Sequence, residues 1–139
     1  MAELPDEVRA LFEGANFGHV ATLMPDGSPH SVAVWVGIED GHIVFFTQTT
    51  SQKARNLERD PRVAISMVDH DDPYMTARIR GRVARTTTGD AAFEIIDRLA
   101  VRYTGETFPM RPPTSVVYHV EPTRVSSMQL PFEHRPAAT

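Results

Sequence analysis

Residues 49–61 read TTSQKARNLERDP, and the chemistry is concentrated in the first half of that stretch. Thr49, Thr50 and Ser51 are hydroxyl residues of the kind that cap a helix N-terminus, and Pro61 marks its end. Lys53 and Arg55 follow within the first turn and a half. A helix N-terminus already carries partial positive charge, so cations are unfavourable there. A bound anion would resolve the conflict, because free N–H groups, the hydroxyls and two cations together make a phosphate cradle. The competing explanation is a surface helix whose cations pair with Glu58 or Asp60. Lys53 is the only lysine among the fourteen Lys and Arg residues, and an ammonium is a compact charge suited to a phosphate oxygen. The stretch is not a P-loop, which needs a Gly-rich run before its lysine.

Other candidates carry less. RIRGRVAR (78–85) places Arg78, Arg80 and Arg82 on one face and Ala77, Ile79, Gly81 and Val83 on the other. That row could meet a polyanion, but such rows more often form the solvated face of an edge strand, where charge blocks aggregation. DHDD (69–72) has metal-ligand residue types without the spacing or glycine of a calcium loop, and reads as a polar hairpin turn. His19, His30, His42, His119 and His134 are scattered, and HExxH and G-x-S-x-G are both absent. The residues therefore offer no metal site and no catalytic acid, base or nucleophile. A phosphate site without catalytic machinery fits a holder of a redox cofactor, where the cofactor does the chemistry and the protein orients it.

Composition narrows the setting. A chain of 139 residues with 41% hydrophobic and 23% charged residues is expected to form one soluble domain. The absence of cysteine excludes disulfides, iron–sulfur clusters and thiolate zinc sites. A net charge of −4 argues against a general nucleic-acid binder. No apolar run approaches a membrane span and MAELPDEVRA is not a signal peptide, so a cytoplasmic location without membrane contact is expected.

The elements that must position the cradle follow from pattern. PDEVRALFEG (5–14) is amphipathic and helical. FGHVATLM and PHSVAVWVGI are joined by PDGS, and Asp40-Gly41 turns the chain into HIVFFTQ, giving a three-strand antiparallel meander. Beyond the helix at 51–60 come RVAISMVD, YMTARIRGRVART, a helix over 89–103, the Pro-rich TFPMRPPT, and a last strand beginning at Ser115. Residues 132–139 read as a flexible tail. The order of elements disfavours a doubly wound sheet and suggests a small, mainly β, α+β barrel of six antiparallel strands with flanking short helices. The strand over 29–38 has two uncharged faces, so Trp35 and Ala33 are expected to face a partner subunit or a cofactor.

GHVATLMPDGSPHSVAVWVGIEDGHIVFFT followed by SQKARNLERDPRVAIS resembles the pyridoxamine 5'-phosphate oxidase-like flavin-binding split barrels. Within them, QKARNLERDPRVAI is most similar to the deazaflavin branch, which uses coenzyme F420. The resemblance covers about residues 14–85 well and the last third in outline. It implies a six-stranded antiparallel split barrel and a homodimer with two cofactors in grooves between subunits. By motif position it places Gln52, Lys53 and Asn56 at the cofactor phosphate, beside Ser51 and Arg55 of the cradle. Thr47 and Gln48 fall at the ribityl chain or ring, Trp35 near the ring, and Tyr74, Met75 and Thr76 along the groove.

Two departures sharpen the expectation. The C-terminal Trp and Arg signature of true pyridoxamine phosphate oxidases is absent, which argues against vitamin B6 oxidation. SVAVWVGI also lacks the early-strand Arg and Lys frequent in FMN members, which favours the deazaflavin. The implied function is hydride transfer from reduced F420 to an unsaturated small molecule. An FMN-dependent oxidoreductase and a non-catalytic F420 or flavin binder remain open beside it. The substrate pocket would be made by the Pro-rich loop and the partner subunit.

Overall fold

The computed structural model describes residues 2–138. In chain order the elements are α1 (Asp6–Glu13), β1 (Phe17–Leu23), β2 (Pro29–Trp35), β3 (Gly37–Glu39), β4 (His42–Gln48), α2 (Gln52–Arg59), β5 (Arg62–Val68), β6 (Met75–Thr88), α3 (Gly89–Thr104) and β7 (Ser115–Gln129). One antiparallel sheet runs β2-β1-β5-β6-β7-β4-β3. Its two end strands are consecutive halves of one bent segment, so the sheet returns on itself as a barrel.

That bend accounts for the difference between six expected strands and seven observed. The segment over 29–38 pairs with β1 as far as Trp35 and with β4 from Gly37. The expected three-strand meander is therefore two hairpins sharing a broken strand. At the break, Val36 N–H donates to the Tyr103 hydroxyl at 3.1 Å, and that hydroxyl donates to the carbonyls of Asn16 and Val36. A tyrosine from α3 thus satisfies backbone groups that the ladder abandons. Gly37 lies immediately beyond, and a Cβ there would sit 2.6 Å from Leu99 Cδ2 of α3.

Alternation fills the interior. Val20, Ile43, Phe45, Val63, Ile65, Met67, Ala77, Ile79, Val116, Tyr118 and Val120 point inward, and α1 adds Val8, Leu11 and Phe12. α2 adds Ala54 and Leu57. A second cluster lies outside the barrel, where Ile95, Ile96 and Leu99 of α3 pack on Val44 and Val117. His119 is buried, with Nε2 2.7 Å from Thr87 Oγ1 and Nδ1 without a hydrogen-bond partner among the described residues. Burial first, and then the charge of Arg85, lower its pKa.

One expectation fails on topology. β6 is not an edge strand: it pairs with β5 from Val68↔Thr76 to Arg62↔Arg82 and with β7 from Met75↔Gln129 to Thr88↔Val116. Protection of an exposed edge cannot explain its arginines. DHDD does form a turn, in which Asp69 and Asp72 accept from the N–H groups of Asp71 and Tyr74. Asp69, His70 and Asp71 hold their ligand-type atoms within 4.8 Å of one another there, and His70 and Asp71 are exposed. No helix among the described residues is long and apolar enough to cross a membrane.

Candidate functional site

α2 begins where β4 ends. Ser51 is extended (φ −73°, ψ 159°) and its hydroxyl accepts from Ala54 N–H at 3.2 Å, which is an N-cap. Thr47 at the end of β4 donates to the same hydroxyl at 3.0 Å. The turn between is closed by Ser51 N–H to the Gln48 carbonyl at 3.0 Å. Thr114 anchors it from the Pro-rich loop, donating to Gln48 Oε1 and accepting from Thr49 N–H, each at 2.9 Å. The backbone N–H groups of Gln52 and Lys53, left over by the geometry of a first turn, have no acceptor among the described residues.

The cations of this helix have unequal fates. Arg55 donates to the Thr50 carbonyl and, at 2.8 Å, to Gln52 Oε1. Arg59 donates to the Leu23 carbonyl and to Asn56 Oδ1. Asp60, offered by the sequence as a partner for Lys53 or Arg55, binds Arg62 instead at 2.7 Å, and Arg62 holds its carboxyl down to about 2. Lys53 is half-buried and has no hydrogen-bond or ion-pair partner among the described residues. Burial alone lowers its pKa. An ammonium losing water without gaining a counter-ion is the arrangement a bound anion would complete.

Asn56 lies deeper than its motif position suggests. It is fully buried, its Nδ2 donates to Thr22 Oγ1 at 3.0 Å, and its Oδ1 accepts from Gln52 Nε2 at 2.9 Å. It ties α2 to β1 and orients Gln52. Nothing in the sequence near Thr22 signals that contact, which spans 34 positions.

From the cap a groove runs along the barrel rim. Its first part, about 380 Å³, is lined by Phe46, Thr47, Gln48, Thr50, Ser51, Phe108, Met110, Pro112 and Ser115. Phe46 and Phe108 also line the second recess, about 260 Å³, with Phe17, Ala33, Val34 and Trp35. Trp35 stacks on Tyr103 (5.2 Å, 13°) and meets Phe46 and Phe108 edge-on at 6.1 and 6.2 Å. No lining side chain of either recess is charged. The loop carrying Phe108 and Met110 is fixed by Asp97, which accepts from Phe108 N–H at 3.1 Å and from Arg111 at 2.7 Å. The groove thus joins an aromatic, uncharged recess to the cap of a helix bearing an unpaired cation.

Of the residues singled out by sequence, the structure brings Trp35, Thr47, Gln48 and Ser51 onto the groove, with Gln52, Lys53, Arg55 and Asn56 on the helix at its end. Tyr74, Met75 and Thr76 line neither recess of their own chain. Tyr74 packs instead on Phe132 and His134, with ring centroids at 5.3 and 6.2 Å, and Met75 and Thr76 pair with Gln129 and Met128. Phe17, Phe46 and Ser115 were not anticipated, since a single aromatic or serine in a strand carries no local functional signal.

The family model for pyridoxamine 5'-phosphate oxidase matches residues 4–129. The chain belongs to that family. It is a family of oxidoreductase type built on a flavin-binding split barrel. A curated relative, the pyridoxine/pyridoxamine 5'-phosphate oxidase of Azorhizobium caulinodans, is 34% identical over 89 residues, covering 63% of this chain and 42% of that protein. The matched stretch is thus under half of that relative's length. Among solved structures, an F420 reductase is 32% identical with a TM-score of 0.76, covering 88% of this chain and 98% of its own. A conserved hypothetical protein of Mycobacterium tuberculosis is 26% identical with a TM-score of 0.78, covering 100% of this chain and 94% of its own.

Proposed function

We propose that this protein is an F420-dependent reductase, which transfers a hydride from the reduced deazaflavin to an unsaturated, uncharged small molecule. The observation that carries the reading is the groove itself, with an aromatic end at Trp35, Phe46 and Phe108 and, at the other, the Ser51 cap of the helix that carries Lys53. The residues fit a phosphate-bearing flavin-type cofactor. The free N–H groups of Gln52 and Lys53, the hydroxyls of Thr50 and Ser51 and the Lys53 ammonium suit its phosphate. Thr47 and Gln48 offer polar contacts partway along, and Trp35 offers a flat apolar wall. When bound, the cofactor supplies the hydride. The chain's part is to orient the ring, exclude water with Phe17, Phe46, Phe108 and Met110, and leave an apolar space for the acceptor.

The F420 reductase, matched over 98% of its length, supports the deazaflavin over FMN. So does a second strand without a cation. The curated oxidases support the other reading, oxidation of a vitamin B6 phosphate on FMN. That substrate needs a second phosphate site, and neither recess has a cationic lining residue. The protein acts as a homodimer in this proposal. The exposed Phe17 (54%) and Met110 (57%) mark apolar surface that a second subunit would cover, and the partner's Tyr74 region would complete the groove.

F420 and FMN titrated side by side test the cofactor, with F420 expected to bind about tenfold tighter or better, about 1.4 kcal/mol. Equal affinities would overturn the preference. Turnover of reduced F420 with enones, quinones and tetrapyrroles separates a reductase from a non-catalytic binder, and oxidation of pyridoxine 5'-phosphate tests the alternative. A monomer at micromolar concentration with cofactor bound would refute the dimer.

A further inference from the structure

The loop over 106–114 reads ETFPMRPPT, and three of its nine residues are proline. Proline has no N–H to donate, so a segment of this composition is poorly held by backbone hydrogen bonds. Side chains hold it instead, at both ends. At the far end Thr114 is tied to Gln48 and Thr49 beside the helix cap, and the Ser115 hydroxyl donates to the Pro112 carbonyl at 2.8 Å. At the near end the hold comes from α3.

Phe93 and Asp97 stand one turn apart on α3 and so share a face of the helix. Arg111 reaches both. Its guanidinium carbon lies 5.1 Å from the Phe93 ring centre, and one nitrogen lies 2.7 Å from Asp97 Oδ2. The same guanidinium donates back to the Phe108 carbonyl at 2.6 Å and to the Met110 carbonyl at 3.1 Å. Asp97 Oδ1 accepts from Phe108 N–H at 3.1 Å. Phe108 is thus gripped at its amide and at its carbonyl, and both grips end on one carboxylate. Its ring meets Phe46 at 5.3 Å and Trp35 at 6.2 Å, each edge-on, and it lines both recesses of the groove. Neither Asp97 nor Arg111 lines a recess, so each acts there only through Phe108. The two side chains are 26% and 44% exposed, and an ion pair that open to water adds little to global stability. Its consequence is local, in fixing where the Phe108 ring stands.

We infer that Asp97 and Arg111 are positioning residues for the hydride acceptor, and that the wall they hold selects compact, flat ring compounds over globular ones. The inference rests on reading the groove as the site of cofactor and acceptor. With no charged lining side chain in either recess, shape is left to discriminate between uncharged acceptors. The recess at Trp35, about 260 Å³, is at the small end of ligand pockets, and Phe46 and Phe108 narrow it with rings set at 81° to each other. A Phe108 fixed beforehand costs no ordering when a flat molecule enters, whereas a loop freed from α3 must be ordered at that moment. The same freedom lets the wall retreat before a bulkier guest.

Trp35 is the only tryptophan of the chain and Phe108 packs against it, so its emission reports the loop directly. In the full chain without cofactor, Asp97→Ala is expected to shift Trp35 emission to the red while the thermal melt stays close to the parent's. Asp97→Asn keeps an acceptor for Phe108 N–H and loses the ion pair, and should fall between the two. Calorimetric titration of naphthoquinone, which is flat, and adamantanone, which is globular, reads the selection. The parent is expected to prefer naphthoquinone, and Asp97→Ala to reduce that preference about tenfold. Affinity for F420 should not change, because no contact of α2 is lost. Arg111→Met removes the charge and keeps a stem to pack on Phe93, and is expected to act as Asp97→Ala does should that variant fail to fold. Unchanged Trp35 emission, a parent that binds neither probe or prefers adamantanone, a preference that survives both substitutions, or an equal loss of F420 affinity would overturn the inference. A preference that responds to Asp97 in a chain that never oxidises reduced F420 would uphold it and refute the F420 reading alone.

Discussion

Two groups of cations in this molecule look alike in sequence and are treated differently by the fold. On α2, Arg55 and Arg59 are consumed by the carbonyls of Thr50 and Leu23 and by Gln52 and Asn56, and only the half-buried Lys53 is left over. On β6 and β7, Arg78, Arg80 and Arg124 are exposed, and no acceptor among the described residues engages their guanidinium groups. The difference is one of acceptors within reach. A helix start leaves carbonyls and amides at hand for a long side chain to find. A sheet interior spends its carbonyls in the ladder and leaves outward guanidinium groups nothing but water or a ligand. An unpaired cation therefore carries different weight in the two places. At α2 the ammonium is already partly desolvated, whereas on the sheet each arginine is open to water.

Breaking the α2 side has the largest expected effect. Lys53→Ala is expected to weaken cofactor binding by about 1.5–3 kcal/mol, the range of a charge-assisted contact. The apo protein should melt unchanged or slightly higher, because a cation leaves the positive end of a helix. Cofactor fluorescence titration and a thermal melt read the two quantities. Unchanged affinity with a lower melt would mean that Lys53 serves only the helix surface. Binding to the parent should also weaken as salt rises.

Tyr103→Phe sharpens the comparison at a buried polar junction where every group is engaged. Removing the hydroxyl leaves Val36 N–H and the Asn16 carbonyl without their partner, for an expected loss of about 1–3 kcal/mol in urea unfolding. A loss near zero would show that water enters the strand break freely.

His119 tests whether desolvation is costly in this fold. His119 is paired across the ladder with Arg85, and burial first, then the charges of Arg85 and His42, hold its folded pKa below the usual 6.5 against the opposing charges of Glu39 and Asp40. Above pH 6.5 the ring is neutral folded or unfolded and contributes no pH dependence. As pH falls below 6.5 the unfolded chain takes the proton first, so stability declines until the folded pKa is passed. The contribution to the slope stays within about 1.4 kcal/mol per pH unit. His119→Gln should flatten the profile below pH 6.5, read by denaturation at each pH. An unchanged profile would remove His119 from the account.

The smallest effect belongs to the facing arginines of β6 and β7. Arg80→Gln should raise apo stability by about 0.2–1 kcal/mol through relief of the facing Arg124. A loss instead would mean that the arginines are held by contacts on the sheet itself.

Much of this arrangement was legible in the chain. The two Asp-Gly turns, the period-two strands and the hydroxyl-rich helix start predicted the elements to within a few residues, because each rests on neighbours close in sequence. The Ser51 cap of α2 was legible for the same reason. The break at Val36 was not, since its stabilising hydroxyl arrives from Tyr103, 67 positions away. Nor was the position of β6 within the sheet, which turned a row expected at an edge into an unexplained charge in the middle.

By itself the sequence determined what local chemistry can determine: which segments are helix or strand, that thiol chemistry is impossible, and that a hydroxyl residue caps the start of α2. Tertiary structure alone decided which cations find acceptors, that Asn56 is an internal tie to Thr22, and that Phe46 and Phe108 join the cap to Trp35. It also set Arg80 against Arg124. These are matters of strand order and register, and a shift of one residue in register would carry every such side chain to the opposite face of the sheet.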